Sequence, residues 1–172
     1  MPNWCECDLS IRLIGDKEDK QMVEFKKFKD LAETKQGKET NALDTEKFIP
    51  YPEKFREMDK EAKDRNVNKK GEYIKDGFNS GGYEWCGENW GTKWGICEAE
   101  LVDMDSWELT YTFRCAWSPC LPVIKKMSEM FPKLRFELRY FEQGQGFNGL
   151  FVCEKGEILM DKQGDYFGDR GG

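Results

Sequence analysis

Trp107-Glu-Leu-Thr-Tyr-Thr-Phe-Arg-Cys-Ala-Trp117-Ser-Pro119 places an apolar side chain at every odd position up to Trp117 and then changes character. Period-two alternation marks a strand with one buried face. Ser118 and Pro119 read as an N-cap and a first helical residue, and Leu121, Ile124, Met127 and Phe131 recur behind them at helical spacing until Pro132.

Outward from this stretch the same two periods recur. Cys5, Cys7, Leu9, Ile11 and Leu13 alternate with Glu6, Asp8, Ser10 and Arg12 in a first strand. Met22, Phe25, Phe28, Leu31 and Ala32 then mark a helix over 16–34, with Asp16 as its cap. Ile96 to Val102 turns Cys97, Ala99 and Leu101 to one side, and Asp103-Met-Asp-Ser106 links it as a hairpin to the strand 107–117. Leu134, Phe136, Leu138 and Tyr140 form a fourth strand. The order β-α-β-β-α-β predicts a ferredoxin-like (split βαβ) antiparallel sheet with both helices on one face and strand order 4-1-3-2.

Residues 147–163, around Glu154-Lys-Gly-Glu157, read as a C-terminal β-hairpin, and 164–172 as a frayed end. A long insertion, 35–92, separates the first helix from the second strand; in it Phe48-Ile-Pro-Tyr-Pro52 reads as an extended anchor and Glu53 to Lys70 as a charged short helix. With 172 residues the chain can bury one core, so 1–172 reads as a single ferredoxin-like domain.

Charge restricts the partners. The net charge is −6, and residues 83–118 hold 2 basic against 7 acidic side chains, a local −5. Nucleic acid would be repelled there, since affinity for phosphates comes from cations that displace condensed counterions. The outward positions Glu6, Asp8, Arg12, Glu98, Glu100, Glu108, Thr110, Thr112, Arg114, Arg135, Glu137 and Arg139 offer no aromatic platform for bases; they suit cross-strand ion pairs or a polar seat for the inserted segment. No apolar run reaches membrane-spanning length and the acidic N-terminus is no secretory signal, so the expected location is cytoplasmic, with seven reduced cysteines.

Tyr83-Glu-Trp-Cys-Gly-Glu-Asn-Trp-Gly-Thr-Lys-Trp-Gly95 concentrates three of the six tryptophans in a segment of no clear period. The indoles either fasten a loop to the core or line a cleft. On the cleft reading Trp90, Trp94 and Trp117 are the walls, Asn89, Thr92 and Lys93 the polar contacts, and Glu142 an adjoining carboxylate. The partner is then a protein or small ligand, and the protein a non-catalytic binding module. The alternative is an enzyme that uses the carboxylates Glu84, Glu88 and Glu142 beside Lys93 on a small substrate.

Other chemistry finds little support. A chain with no histidine cannot build a Ser-His-Asp or Cys-His site. No C-x-x-C pair occurs, so the cysteines read as small buried hydrophobes rather than metal ligands. Gly144-Gln-Gly146-Phe-Asn-Gly149 fits a dinucleotide fingerprint, but Leu-Phe-Val-Cys after it is a strand and offers no helix N-terminus to a pyrophosphate. A turn between strands is expected instead, and no cofactor is implied.

Met-Pro-Asn-Trp-Cys5, Asn89-Trp-Gly-Thr-Lys-Trp94, Ala116-Trp-Ser-Pro119, Tyr140-Phe-Glu-Gln-Gly144 and Phe147-Asn-Gly149 together resemble the YubB-like family. That resemblance implies a phage or plasmid setting and a ferredoxin-like domain of unknown function. Cys7 and Cys120 depart from the family pattern, where asparagine and a second proline often stand.

Overall fold

The computed structural model describes residues 2–15, 18–36, 39–68 and 75–170. β1 (Trp4–Leu13) alternates as its sequence requires, with Cys5, Cys7, Leu9 and Ile11 buried. α1 follows as Glu18–Ala32, and the Asp16 cap lies outside the described residues. Its buried stripe is narrower than expected. Phe25, Phe28 and Ala32 are fully buried, whereas Met22 and Leu31 are largely exposed.

The segment between α1 and the second ferredoxin strand holds the expected charged helix and, besides it, elements that its polar sequence does not suggest. β2 (Thr34–Gln36) and β3 (Glu39–Asn41) form a small two-stranded sheet, α2 spans Glu53–Asn68 and α3 spans Gly82–Asn89. The anchor 48–52 behaves as read: Phe48 is buried and its ring stacks 5.7 Å from Phe28, and Tyr51 packs against Phe55.

β4 (Cys97–Met104), β5 (Leu109–Ala116), α4 (Leu121–Met130) and β6 (Leu134–Glu142) complete the ferredoxin frame. The sheet order is β4-β5-β1-β6-β7-β8, so the first and third strands of the frame are central, as 4-1-3-2 requires. Register places Leu9 between Tyr111 and Leu138, and Ile11 between Leu109 and Phe136, which forms one continuous apolar face. Both helices cover it: Phe28 of α1 meets Tyr111, Phe136 and Phe131, and the Cys153 thiol points at the Ile124 carbonyl of α4, 3.6 Å away.

α4 begins later than Ser118-Pro119 suggests. Cys120 is its N-cap residue and Pro122 lies in its first turn, while the Ser118 hydroxyl donates to the Gly91 carbonyl at 2.6 Å. The cap is displaced because that hydroxyl fastens a loop instead.

The C-terminal hairpin, β7 (Phe147–Glu154) and β8 (Glu157–Asp165), adds two strands beyond β6. Lys155 and Gly156 both have positive φ, 51° and 79°, the backbone of a tight hairpin turn whose twist matches the strands. The expectation of a frayed tail fails as far as Arg170; residues 171 and 172 lie outside the described residues. Tyr166 N–H donates to Gly146 O, Asn148 Nδ2 to Phe167 O, and Arg170 reaches Asp8 (2.9 Å), Glu6 (3.3 Å) and the Phe141 ring face (4.5 Å). The polar sheet face therefore seats the chain's own end rather than the inserted segment. Cross-strand pairs such as Arg12–Glu108 and Arg114–Glu98 occupy the rest of that face.

The glycine-rich stretch 144–149 is a turn and a strand start, with Gly146 at φ 79°. Gly149 lies opposite Tyr140, and a Cβ there would sit 1.9 Å from Tyr140 Cζ. Because Tyr140 is buried and cannot swing away, Gly149→Ala should cost about 1–3 kcal/mol by overpacking. Urea unfolding reads this as a lower midpoint; an unchanged midpoint would show that the ring yields.

Candidate functional site

The segment 83–95 owes its shape to where its helix stops. α3 ends at Asn89, whose side-chain amide donates to the Trp85 carbonyl at 2.9 Å. Trp90 is the C-cap residue, and its backbone N–H closes on Cys86 O. Gly91 then turns the chain at φ 75°, and a Cβ there would sit 2.7 Å from Pro122 Cδ, so the loop lies directly against the start of α4. After this reversal Trp90 and Trp94 differ in burial and in neighbours: the first packs on Tyr51 and Trp85, the second on Trp4. A continued helix would have put residues four apart on one side.

Trp90 faces inward. It is 7% exposed, its indole N–H donates to Ile49 O at 2.9 Å, and its ring meets Trp85 at 5.4 Å and Tyr51 at 5.8 Å. As a cleft wall it is therefore corrected: the surrounding rings absorb it, and it fastens the segment 83–95 to the anchor 48–52, while Asn89, expected as a polar contact of the cleft, bonds within α3 instead. Burial, then the nearby Asp59, push the Tyr51 phenol up to about 12.

Thr92, Lys93, Trp94 and Trp117 take a different position. The buried Thr92 hydroxyl donates to Ala116 O at 2.8 Å, which laces the loop to the end of β5. Trp94 packs 6.2 Å from Trp4, and the Trp117 N–H donates to Asn3 O at 3.0 Å. The Lys93 ammonium lies 4.6 Å from the centre of the Trp94 ring and 5.8 Å from that of Tyr83. A cleft of about 210 Å³ opens between α3 and the end of β5, lined by Tyr83, Glu84, Thr92, Lys93, Trp117 and the small residues between them.

Tyr83 is the residue sequence reasoning missed here. Its only signal was the helix that carries it, and glycines at 82 and 87 hid that helix.

Glu142 does not reach this cleft. Its fully buried carboxylate accepts Gly144 N–H at 3.2 Å and Gln145 N–H, so it holds the turn that begins β7. Of the three carboxylates weighed as acid or base, only Glu84 lines the cleft, and they do not converge. Burial also lifts Cys86 and Cys97 to about 11, which keeps both as thiols at neutral pH. Cys5, Cys7, Cys115 and Cys120 are buried on the apolar face, where burial pushes Cys7 and Cys120 well up.

Order of strands, placement of both helices and chemistry of the sheet define a ferredoxin-like α+β protein. Residues 89–169 match the family described as "Ferredoxin-like domain in Api92-like protein", a span from the tryptophan-rich loop through β8. The chain is also similar to the crystal structure of a protein api92 from Yersinia pseudotuberculosis, with a TM-score of 0.52 at 10% identity over 99% of this chain and 100% of that one. At that identity the likeness speaks for the fold alone. None of the curated proteins matches the chain. No helix among the described residues is long and apolar enough to cross a membrane.

Proposed function

We propose that this protein is a non-catalytic binding module that holds a small ligand or a short piece of a partner chain in the Tyr83–Trp117 cleft. The supporting observation is Trp117. A bulky residue at φ 73° stores strain, on the order of 1–3 kcal/mol, yet Trp117 is 39% exposed and lines the cleft rather than the core. Its neighbours are rigidly set: Asn3 holds its backbone, and Thr92 and Ser118 tie the facing loop. Pre-organised exposed aromatics beside a cation are what a recognition site needs, since little ordering remains to be done on binding.

The YubB-like resemblance is what favours a phage or plasmid setting; that setting, the cytoplasmic location and the action of 1–172 as one unit belong to this proposal. Trp117→Gly is the informative variant. Glycine accepts positive φ, so stability should stay within about 1 kcal/mol of the parent while binding is lost. The test uses protein labelled with 5-fluorotryptophan and a fragment library followed by ¹⁹F NMR. Fragments should move the Trp117 resonance and leave Trp90 and Trp107 unmoved; a library that moves none of them overturns the proposal.

A further inference from the structure

Glu84 and Lys93 line the same cleft, and neither forms an ion pair among the described residues, with the other or with anything else. Lys93 is one of only two basic residues between 83 and 118, and the second, Arg114, is engaged by Glu98 and Glu6 on the sheet's other face. Two opposite charges that share one cleft without closing on each other leave room for a molecule to bridge them. Tyr83 and Trp117 supply apolar surface alongside.

From this geometry we infer that the ligand is a small zwitterion: an ammonium group against Glu84, a carboxylate against Lys93, and an apolar body against the Trp117 ring. The inference rests on the cleft being a binding site and names the class of ligand it takes. Charge favours a zwitterion over a simple anion. The cleft lining carries one acid and one base, Glu84 and Lys93, so a simple anion would leave Glu84 unmatched, whereas a neutral dipole meets both charges. Size agrees. A cleft of about 210 Å³ is somewhat larger than the roughly 150 Å³ cavity that admits benzene, the scale of one amino acid. Free α-amino acids and dipeptides both present this chemistry.

Calorimetry with L-leucine, glycyl-L-leucine, N-acetyl-L-leucine and L-leucinamide tests it on the full chain. At least one of the two zwitterions should bind tenfold or more tighter than the acetylated and amidated forms, and which one binds identifies the source. Glu84→Gln should abolish the penalty for acetylation, and Lys93→Met the penalty for amidation. Circular dichroism melting of both variants checks that they are folded. Equal binding of all four compounds, or binding of none, overturns the inference. The fluorine screen separates the two failures: fragments that move Trp117 while zwitterions do not leave the cleft as a site with a different ligand, and silence in both experiments removes the site as well.

Discussion

Trp90→Ala should lower the stability of the protein by about 3–5 kcal/mol, the usual cost of deleting a buried aromatic. The substitution removes a ring packed against Tyr51 and Trp85 and leaves the Ile49 carbonyl without its indole donor. For a chain of this length that is a fall in Tm of about 10 °C. The damage should start locally. Hydrogen exchange should quicken first in α3 and the 48–52 anchor, because Trp90 is their shared fastening, while β1 and β6 keep their protection until global unfolding. Thermal melting with exchange mass spectrometry checks both parts. A melting point within about 2 °C of the parent would show that Tyr51 and Trp85 close over the vacancy.

Phe28→Ala should be as costly, about 3–5 kcal/mol, for a different reason. Its ring is the point where α1, the anchor, α4 and two strands meet: Phe48, Phe131, Tyr111 and Phe136 all lie within 6.1 Å between ring centres. Such a cavity has walls from four elements and cannot collapse from one side. Met22→Ala is the matched control, since Met22 is 45% exposed on the same helix and should lose less than about 1 kcal/mol. Guanidinium unfolding of both variants gives the comparison, and equal losses would contradict the narrow inner stripe of α1.

The ferredoxin frame was legible because its strands are half-buried and long. In β1, β5 and β6 the solvent and core faces differ in every residue pair, and a one-residue slip would reverse them all. α3 was not legible. Gly82 and Gly87 weaken helix propensity, and burial of Cys86 and Trp90 against the anchor, not local preference, sustains that turn of chain. The opposite fates of Trp90 and Trp94 depend on one glycine turn packed on Pro122, a contact between residues far apart in sequence. The C-terminal tail was missed for the same reason. Arg170 finds Asp8 162 positions away, and nothing in a Gly-rich terminus signals that pairing. Of the proposed site, Thr92, Lys93, Trp117 and, as a carboxylate, Glu84 could be named from motif and charge; Tyr83 and the exclusion of Asn89, Trp90, Trp94 and Glu142 required the fold.

Under the proposed function the segment 83–95 divides its labour, with Trp90 holding the fold and Lys93 free for a ligand. Thermal unfolding of Lys93→Ala tests it most directly. The ammonium touches two exposed rings and no carboxylate among the described residues, so its loss should cost no more than about 1 kcal/mol, a shift of about 2–4 °C. A Lys93→Ala protein that melts as early as Trp90→Ala would instead make the whole segment a structural fastening, and the cleft would have no residue to spare for binding.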